Sequence, residues 1–515
     1  MNDSVHIELL PQRRTLTLER GTPLQDVLFA QGVEFPCGGR GRCKGCRVKV
    51  LEGALPVSAE DQRLLSAEQI TEGWRLACRA RAECDLKIEL AQWEAAILAD
   101  DTVFEFTPRD GLGVAVDLGT TTVVAQLLDL RSGHVLAVRM GLNAQARHGA
   151  DIMSRVDFSA HGGGQATLQN LIREQIGGLL EELLAAAQSG VEVKNVVLVG
   201  NTVMHHLFSG VSVEPLSHSP FEPVEDGLKV FGVEEVGWRF AERGESDRRL
   251  SATATKVKFL PGLGSFVGSD ILAGVLATKL HESDELVGLV DLGTNGEIVI
   301  GNRERMLCAS TAAGPAFEGA RISMGMRAAT GAISEVHLED GQLRCHVLGN
   351  GPARGICGSG LVDAIAAGLE LGWIQSSGKL TSGKPIELVS PVVVTQADVR
   401  ELQLAKGAIA AGIRILTQQW GARVEDISRL YLAGAFGNYI SRASARRIGL
   451  LHFPPEKIVP AGNTALLGAK LALFSLQEHD GAYAELRRRI HHVSLNEDPQ
   501  FHDIYVEEMG FPESA

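Results

Sequence analysis

Residues 116–120 read Val-Asp-Leu-Gly-Thr, and residues 290–294 repeat the same order. In each copy an apolar strand ends at the Asp, and a tight Gly-Thr turn leads into a further strand. Around the copies, apolar strands alternate with long Ala- and Leu-rich helices such as residues 165–188, which is typical of an α/β fold. The repeat therefore predicts a domain of two duplicated halves, extending over about residues 112–475.

Both copies carry residues suited to binding phosphate. Turn amides and Thr hydroxyls can donate hydrogen bonds to phosphate oxygens, and a carboxylate at a strand end can hold Mg²⁺ through water. One such motif is weak evidence, because turns of ordinary α/β proteins often contain Asp and Gly. Two copies that face each other across a cleft are much stronger. We therefore predict Asp117 and Asp291 as the catalytic carboxylates of a nucleotide site.

A third segment, residues 431–437, reads as a strand that runs into a Gly/Ala turn, where a nucleoside could approach the backbone closely. Residues 313–319 could begin a helix beside the nucleotide, residues 357–360 could form an interdomain hinge, and Lys406 is either a surface lysine or a nucleotide contact. The chain has neither a P-loop motif nor a strand-linked G-x-G-x-x-G. The predicted nucleotide contacts are Gly119, Thr120, Thr121, Gly293, Thr294, Asn295, Gly314, Glu318, Gly434, Ala435, Phe436 and Gly437.

A cysteine constellation precedes this domain. Cys37, Cys43 and Cys46 have the spacing C-x5-C-x2-C, and Cys78 follows at a distance. Four thiolates are the ligand set of a 2Fe-2S cluster, and the glycines between Cys37 and Cys46 let the backbone wrap closely around the sulfurs. The alternative is a structural zinc site, which would favour two close Cys pairs, whereas this chain has one. Cys84 is expected to be a packed thiol and not a ligand.

The pattern of elements divides the chain into parts. Short strands alternate with helical stretches over residues 1–92, which indicates a small α+β unit of the β-grasp type. Residues 93–111 have no clear periodicity and are predicted to be a linker, the duplicated domain follows over 112–475, and residues 476–515 form a C-terminal tail without a recognisable motif.

These motifs resemble two known structural families. The N-terminal region resembles a 2Fe-2S ferredoxin and is closer to the vertebrate-type cysteine spacing than to the plant type. The Asp117, Asp291 and 431–437 segments resemble the two phosphate motifs and the adenosine motif of the actin, sugar-kinase and heat-shock ATPase superfamily, whose lobes are ribonuclease H-like. The resemblance implies a β-grasp ferredoxin domain followed by a duplicated α/β actin-like ATPase domain.

The order of the two domains resembles the reductive activators of corrinoid-dependent methyltransfer proteins. Stretches similar to that family are residues 149–152, 199–206, 314–319 and 463–468. The resemblance implies ATP-dependent delivery of one electron from a 2Fe-2S cluster to the Co(II) corrinoid of a partner protein, which regenerates Co(I). The implied cofactors are the 2Fe-2S cluster, ATP and Mg²⁺. The implied partners are the corrinoid protein and an electron-donating reductase, and a homodimer is left open.

Other functions remain open at this point. An ATP-driven electron donor to another low-potential enzyme and a redox-sensing, nucleotide-binding regulator would both use these two domains. A metabolite kinase would need a sugar pocket, which no motif indicates. The net charge of −14 argues against nucleic acid as the main partner. The sequence has neither a signal peptide nor a membrane-spanning stretch, and it is predicted to be cytoplasmic.

The cysteine spacing makes a direct prediction. The purified chain should contain two iron atoms and two acid-labile sulfides, as a 2Fe-2S cluster requires. Cys43→Ala should abolish the cluster absorption, whereas Cys84→Ala should leave it intact. Metal analysis of the three proteins is the measurement, and one zinc per chain in place of iron would contradict the assignment.

Overall fold

The computed structural model describes residues 4–10, 14–29, 41, 46–90, 104–187, 191–238, 255–314, 316–319, 321–328, 331–339, 341–348, 351–437, 439–476 and 481–513. In the N-terminal domain, the first strand alternates buried and exposed positions, so that Val5, Ile7 and Leu9 face the core. The main sheet has the order β2-β1-β7-β4-β5, as a β-grasp unit requires. Its elements are β1 (Ser4–Leu10), β2 (Arg14–Glu19), β3 (Thr22–Pro23), α1 (Leu24–Phe29), β4 (Arg47–Glu52), α2 (Ala59–Leu64), α3 (Ala67–Thr71), β5 (Trp74–Leu76), β6 (Arg81–Ala82) and β7 (Leu86–Leu90).

The first half of the duplicated region forms a lobe around a mixed sheet of order β10-β9-β8-β11-β13-β12. The central strand, which contains Asp117, is buried on both faces, as its unbroken apolar sequence predicts. The elements of this lobe are β8 (Leu112–Leu118), β9 (Thr122–Asp129), β10 (Val135–Leu142), α4 (Ile152–Ser159), α5 (Gly164–Ala187), β11 (Val193–Val199), α6 (Thr202–Ser209), β12 (Lys229–Gly232), β13 (Lys256–Phe259) and α7 (Ser269–Ala277).

The second lobe repeats this topology. Its elements are β14 (Val287–Leu292), β15 (Gly296–Gly301), β16 (Met306–Thr311), β17 (Ala332–Glu339), β18 (Gln342–Val347), β19 (Gly355–Ile356), α8 (Gly358–Glu370), β20 (Ile386–Val389), β21 (Val392–Val394), α9 (Gln396–Trp420), β22 (Arg429–Ala433), α10 (Gly434–Gly437), α11 (Arg442–Arg447), β23 (Ile458–Gly462), α12 (Thr464–Ser475), α13 (Gly481–Arg488), β24 (Ile490–His492) and α14 (Phe501–Met509). The sheet order β16-β15-β14-β22-β23 matches β10-β9-β8-β11-β13 strand for strand, and both orders place parallel partners on the same side of the Asp-bearing strand. The predicted duplication is therefore visible in the topology.

The two lobes meet along the helices α7 and α12. A Cβ atom on Gly468 of α12 would collide with the backbone carbonyl of Ala273 in α7, so the absence of a side chain lets the helices approach closely. Apolar residues of both lobes, including Leu289 and Leu466, join one buried cluster at this crossing. Glycine at position 468 thus determines how closely the two lobes can approach each other, and with them the Asp-bearing strands β8 and β14.

The segments at either end of the duplicated domain are also packed. Phe104 and Phe106 lie against Phe474 of α12, with ring centroids 5.5 and 4.5 Å away, so the end of the predicted linker is fixed at the junction of the lobes. At the other end, β24 extends the second-lobe sheet beside β16, and α14 packs along α9. The described residues of the 476–515 segment therefore belong to the second lobe. Among the described helices, none is both long enough and apolar enough to cross a membrane.

The close helix crossing predicts how two similar glycine substitutions will differ. Gly468→Ala should lower the free energy of unfolding by about 1–3 kcal/mol, because the added methyl group must push α12 away from Ala273. Gly178→Ala on α5 is the control. A Cβ atom there meets nothing within 4 Å, and the substitution should stabilise the helix by about 0.5–1 kcal/mol. Thermal denaturation measures both changes, and equal effects would contradict the packing argument.

Candidate functional site

The described part of the cysteine site places Cys46 beside Cys78. The pairing of β4 with β5 puts Arg47 opposite Leu76, and the Ala77 amide donates to the Cys46 carbonyl at 3.0 Å. Cys78 follows Ala77 directly, so the two thiols enter the same region, Cys46 buried and Cys78 partly buried. Cys37 and Cys43 lie outside the described residues.

The cysteine loop itself is held at Gly41. Arg63 of α2 donates to the Gly41 carbonyl at 2.7 Å. A Cβ atom on Gly41 would lie 2.7 Å from Arg79 Nε and 2.8 Å from Glu60 Cγ, and the positive φ of 64° also favours glycine. Gly41 is thus held beside Arg79, which follows Cys78 in the chain.

Cys84 lies elsewhere in the domain. Its thiol donates to the Ala54 carbonyl at 3.5 Å, beyond the C-terminal end of β4. Cys46 stands at the N-terminal end of that strand, and six residues of strand span about 20 Å. Because all ligands of a 2Fe-2S cluster lie within a few ångströms of one another, this position argues against Cys84 as a ligand.

The two Gly-Thr turns face each other across the cleft between the lobes. The hydroxyls of Thr121 and Thr294 are 3.3 Å apart, although the residues come from different halves of the repeat. In the first turn the Gly119 amide donates to the Thr122 carbonyl, and a Cβ atom on Gly119 would lie 2.7 Å from that oxygen. In the second, the Gly293 amide donates to the Asn295 carbonyl at 3.0 Å. The repeat thus places two matching turns at one site.

The strand-end carboxylates share this cleft. Asn463, at the start of α12, donates to Asp117 at 2.9 Å. Burial raises the pKa of Asp117 to about 6. Burial, with the nearby charge of Asp117, raises the pKa of Asp291 to about 7. The two carboxylates therefore lie close enough for the charge of Asp117 to act on Asp291.

Two further carboxylates complete the acidic cluster, and the sequence motifs did not identify them. Asp270 lies in the first turn of α7, where burial and the charges of Asp291 and Asp117 raise its pKa to about 8. Glu297 lies in β15, where burial and then Asp270 and Asp291 raise its pKa well above the usual range, while Ser310 donates to it at 3.3 Å. The sequence signal that could have identified Asp270 is its position at the start of a helix, after a glycine-rich loop. For Glu297 the signal is its position directly after the second turn.

Backbone carbonyls of the first turn are fixed from behind. Asn143 donates through its amide nitrogens to two of them, from the backbone N to Thr121 and from Nδ2 to Gly119, both at 2.9 Å. Arg155 is fully buried and donates to the carbonyl between them, that of Thr120. The carbonyls of the turn are therefore all engaged and its Gly119 amide is bonded to Thr122, while the Thr121 hydroxyl reaches the opposite lobe. Sequence reasoning missed Asn143 and Arg155, since neither carries a recognisable spacing.

The predicted adenosine segment packs against the second turn. Gly434 has a φ of 86°, and a Cβ atom there would lie 2.6 Å from Asp291 Oδ1. The Phe436 ring stacks on Phe317 at 4.7 Å, and Glu318 accepts a hydrogen bond from the Thr294 hydroxyl at 2.8 Å. Gly437 and the backbone of Ala435 belong to the same short helix, α10. Gly314 has open space on its Cβ side. Of the predicted nucleotide residues, Glu318, Gly434 and Phe436 thus lie at or next to the second turn.

Three other expectations are corrected by the structure. Residues 316–319 form turns, so the described part of the 313–319 segment does not begin a helix. Residues 357–360 cap and begin α8 inside the second lobe, where a Cβ atom on Gly358 would meet Phe317 and Phe436, so they are no interdomain hinge. Lys406 is fully buried and donates to the Gly510 carbonyl, which excludes it as a nucleotide contact.

Comparisons with known families cover nearly the whole chain. Residues 7–83 match the 2Fe-2S iron-sulfur cluster binding domain. Residues 112–283 match the RACo middle region, and residues 285–515 match the C-terminal domain of RACo, the ASKHA domain. The predicted fold class, a ferredoxin domain followed by an actin-like domain, is confirmed by these matches.

Relatives that match most of the chain belong to the same family. The chain is 34% identical to the corrinoid activation enzyme RamQ of Eubacterium limosum, over 80% of this chain and 73% of the relative. It is 29% identical to the [Co(II) methylated amine-specific corrinoid protein] reductase of Methanosarcina barkeri, over 78% and 77% of the two chains. A solved structure of a reductive activator for corrinoid, iron-sulfur protein is 28% identical, covers 99% of both chains and has a TM-score of 0.67.

The raised carboxylate pKa values predict a pH-dependent effect of one substitution. The folded chain keeps the Asp291 proton up to about pH 7, whereas an unfolded Asp releases it near 3.8, so ionisation costs stability as pH rises through this window. Asp291→Asn, which cannot ionise, should gain about 1–2 kcal/mol of stability relative to the parent between pH 4 and pH 8, an amount reduced by the partial exposure of the cleft.

Thermal denaturation of both proteins across this pH range measures the difference. Asp284→Asn is the control, because Asp284 lies on the surface in an ion pair with Arg303. A difference between Asp291→Asn and the parent that stays constant with pH would contradict the prediction.

Proposed function

Because this chain belongs to the family of reductive activators of corrinoid proteins, we propose that it delivers one electron from a 2Fe-2S cluster to the Co(II) corrinoid of a methyltransfer protein and that ATP hydrolysis drives this transfer. The observation that carries the ATP-dependent part is the contact of Thr121 with Thr294 across the cleft, since it brings two phosphate-binding turns to one site. The corrinoid belongs to the partner and is the substrate of the reaction.

The cluster ligands in this proposal are Cys37, Cys43, Cys46 and Cys78. The adjacent positions of Cys46 and Cys78 and the close packing at Gly41 fit such a group. A ferredoxin-type cluster supplies a one-electron carrier at about −400 mV. The basic residues of the loop, Arg40 and Arg42 among them, would dock an acidic electron-donating reductase, and they lie outside the described residues.

The two turns and the acidic cluster would bind MgATP. Gly119 and Gly293, whose amides close the two turns, would shape them, and the hydroxyls of Thr121 and Thr294 would face the phosphates. Asp117 and Asp291 would hold Mg²⁺ directly or through water. The Gly434 turn and the stacked Phe436 form the wall for the nucleoside. A cation beside these carboxylates would favour their ionised forms and thereby offset their mutual repulsion.

Asp270 is the group we propose for activating water. It stands in the first turn of α7, within the electrostatic reach of both strand-end carboxylates. A pKa raised to about 8 makes its carboxylate a stronger base than an ordinary Asp, so it can accept the proton of the attacking water near neutral pH. Asn463 holds Asp117 in place while this occurs.

Coupling to ATP is physically necessary if the acceptor lies below the cluster in potential. Each deficit of about 59 mV lowers the equilibrium yield of a one-electron transfer tenfold. Nucleotide can offset this loss only if its states differ in affinity for the partner or for the Co(II) form. An electron donor to a different low-potential enzyme and a redox-sensing regulator remain the alternatives, and the family relationship favours the corrinoid partner.

The proposal predicts the outcome of an anaerobic reduction assay. Candidate Co(II) corrinoid proteins, mixed with this chain and a low-potential reductant, should form Co(I) in the presence of MgATP, as followed by visible absorption. Asp270→Asn should slow ATP hydrolysis by about 10²- to 10⁴-fold and suppress Co(I), with the cluster spectrum unchanged. Asp117→Asn and Asp291→Asn should do the same by weakening Mg²⁺ binding.

The surface substitution Asp284→Asn serves as the matched control and should behave as the parent does. Equal Co(I) formation without ATP would remove the coupling and leave a ferredoxin attached to a nucleotide-binding regulator. Unchanged ATP hydrolysis in Asp291→Asn would instead show that the nucleotide site is wrongly assigned.

A further inference from the structure

The ferredoxin domain and the first nucleotide turn are attached to the same short segment. Leu142, at the end of β10, and Ala146, in the turn that follows, pack against the hydrophobic core of the ferredoxin domain. Between them stands Asn143, which bonds to the carbonyls of Gly119 and Thr121. Residues 142–146 therefore contact the ferredoxin core on one side and the phosphate turn on the other, and we call them the platform.

The platform is rigidly connected to the turn. Gln175 of α5 holds its backbone at two points, accepting from the Ala144 amide at 2.7 Å and donating to the Leu142 carbonyl at 2.6 Å. Gln145 is fully buried and accepts from Arg155, which in turn donates to Thr120. Because these residues are joined by consecutive hydrogen bonds, a displacement of the turn is transmitted to the surface that contacts the ferredoxin core.

The ferredoxin domain also contacts the second lobe. Glu89 of β7 forms an ion pair with Arg354, and both side chains are partly shielded from solvent. The Arg354 backbone amide donates to the Gly331 carbonyl at 2.8 Å, next to the strand that leads into α8. Because the platform belongs to the first lobe and Arg354 to the second, the docked ferredoxin domain connects the two lobes and resists a change in their separation.

The cleft must change when a phosphate binds. The hydroxyls of Thr121 and Thr294 lie 3.3 Å apart, in direct contact. Two hydroxyls that donate to one phosphate oxygen, each at about 2.7 Å, stand more than about 4 Å apart. Insertion of a phosphate between the turns therefore moves them away from each other, against the connection that the docked ferredoxin domain provides.

From these contacts we propose that the ferredoxin domain docks on the platform and Arg354 in competition with nucleotide, so that ATP binding releases the domain toward the corrinoid partner. The inference rests on the proposed nucleotide site. By linkage, the factor by which docking weakens ATP binding equals the factor by which ATP weakens docking. Residues 91–103 keep the released domain attached to the chain.

Neutralisation of the ion pair tests this linkage in the full-length protein. Arg354→Gln and Glu89→Gln should each tighten the binding of a non-hydrolysable ATP analogue by about two- to fivefold, the range expected for a partly shielded ion pair. The double variant should bind no more tightly than either single variant, because the same contact is lost once. Isothermal titration calorimetry measures the affinities, and small-angle X-ray scattering should show a larger maximum dimension of the parent with the analogue.

Arg344→Gln is the matched control, since Arg344 pairs with Glu339 within the exposed β17–β18 hairpin and should leave the affinity unchanged. Identical affinities for the parent and the three variants would overturn the docking proposal while the nucleotide site stands. Weaker binding in the single variants, additive effects in the double variant, or the same gain in Arg344→Gln would also overturn it. No binding of the analogue by the parent would remove the proposed nucleotide site together with the inference.

Discussion

The cleft depends on holding the carboxylates of Asp117 and Asp291 near each other although their charges repel. Burial raises their pKa values to about 6 and about 7, and the charge of Asp117 contributes to the increase at Asp291. The scaffold around them supplies the opposing force through apolar burial at the crossing of α7 and α12, where Gly468 allows the helices to touch. The Mg²⁺ of the proposed function, bound between the lobes, would offset the repulsion of the two charges by favouring the ionised carboxylates.

The turns beside these carboxylates are fixed in a complementary way. Asn143 and Arg155 donate to the carbonyls of residues 119–121 from the rear, so that each of these three carbonyls has a hydrogen-bond partner. An unpaired carbonyl in the cleft would repel a phosphate, and satisfying it with buried donors removes that penalty before any ligand arrives. The same buried donors connect the turn to the platform beneath the ferredoxin core. The preorganisation of the site and its connection to the other domain therefore depend on the same residues.

Local sequence was sufficient for much of this structure because the decisive signals are local. The repeated Val-Asp-Leu-Gly-Thr order fixes a strand, a turn and a carboxylate within a few residues, and it predicted two lobes that proved to share one strand order. Asp270 and Arg155 could not be identified in the same way, since their roles arise only when α7 and α4 fold against the turns. The environment of Lys406 also could not be predicted from the local sequence. Lys406 lies in α9, a helix that begins with a capping box, but the burial of its amine against Gly510 depends on the distant C-terminal segment.

A weak contact between the domains is physically suited to a switch. Leu90 and Phe104 are joined by a stretch of chain that spans at most about 50 Å, so the ferredoxin domain stays near its docking site at an effective concentration in the millimolar range. The contacts between the domains that the described residues show, the Glu89–Arg354 ion pair and the packing of Leu142 and Ala146, are of a kind that holds only part of the molecules docked. A nucleotide that changes the docking constant a few-fold shifts a balanced population of this kind substantially, whereas it would leave a tightly closed interface almost unchanged. Because electron delivery requires a cluster that can leave its own ATPase domain and reach a partner, selection for coupling would favour a small interface at this position over a large one.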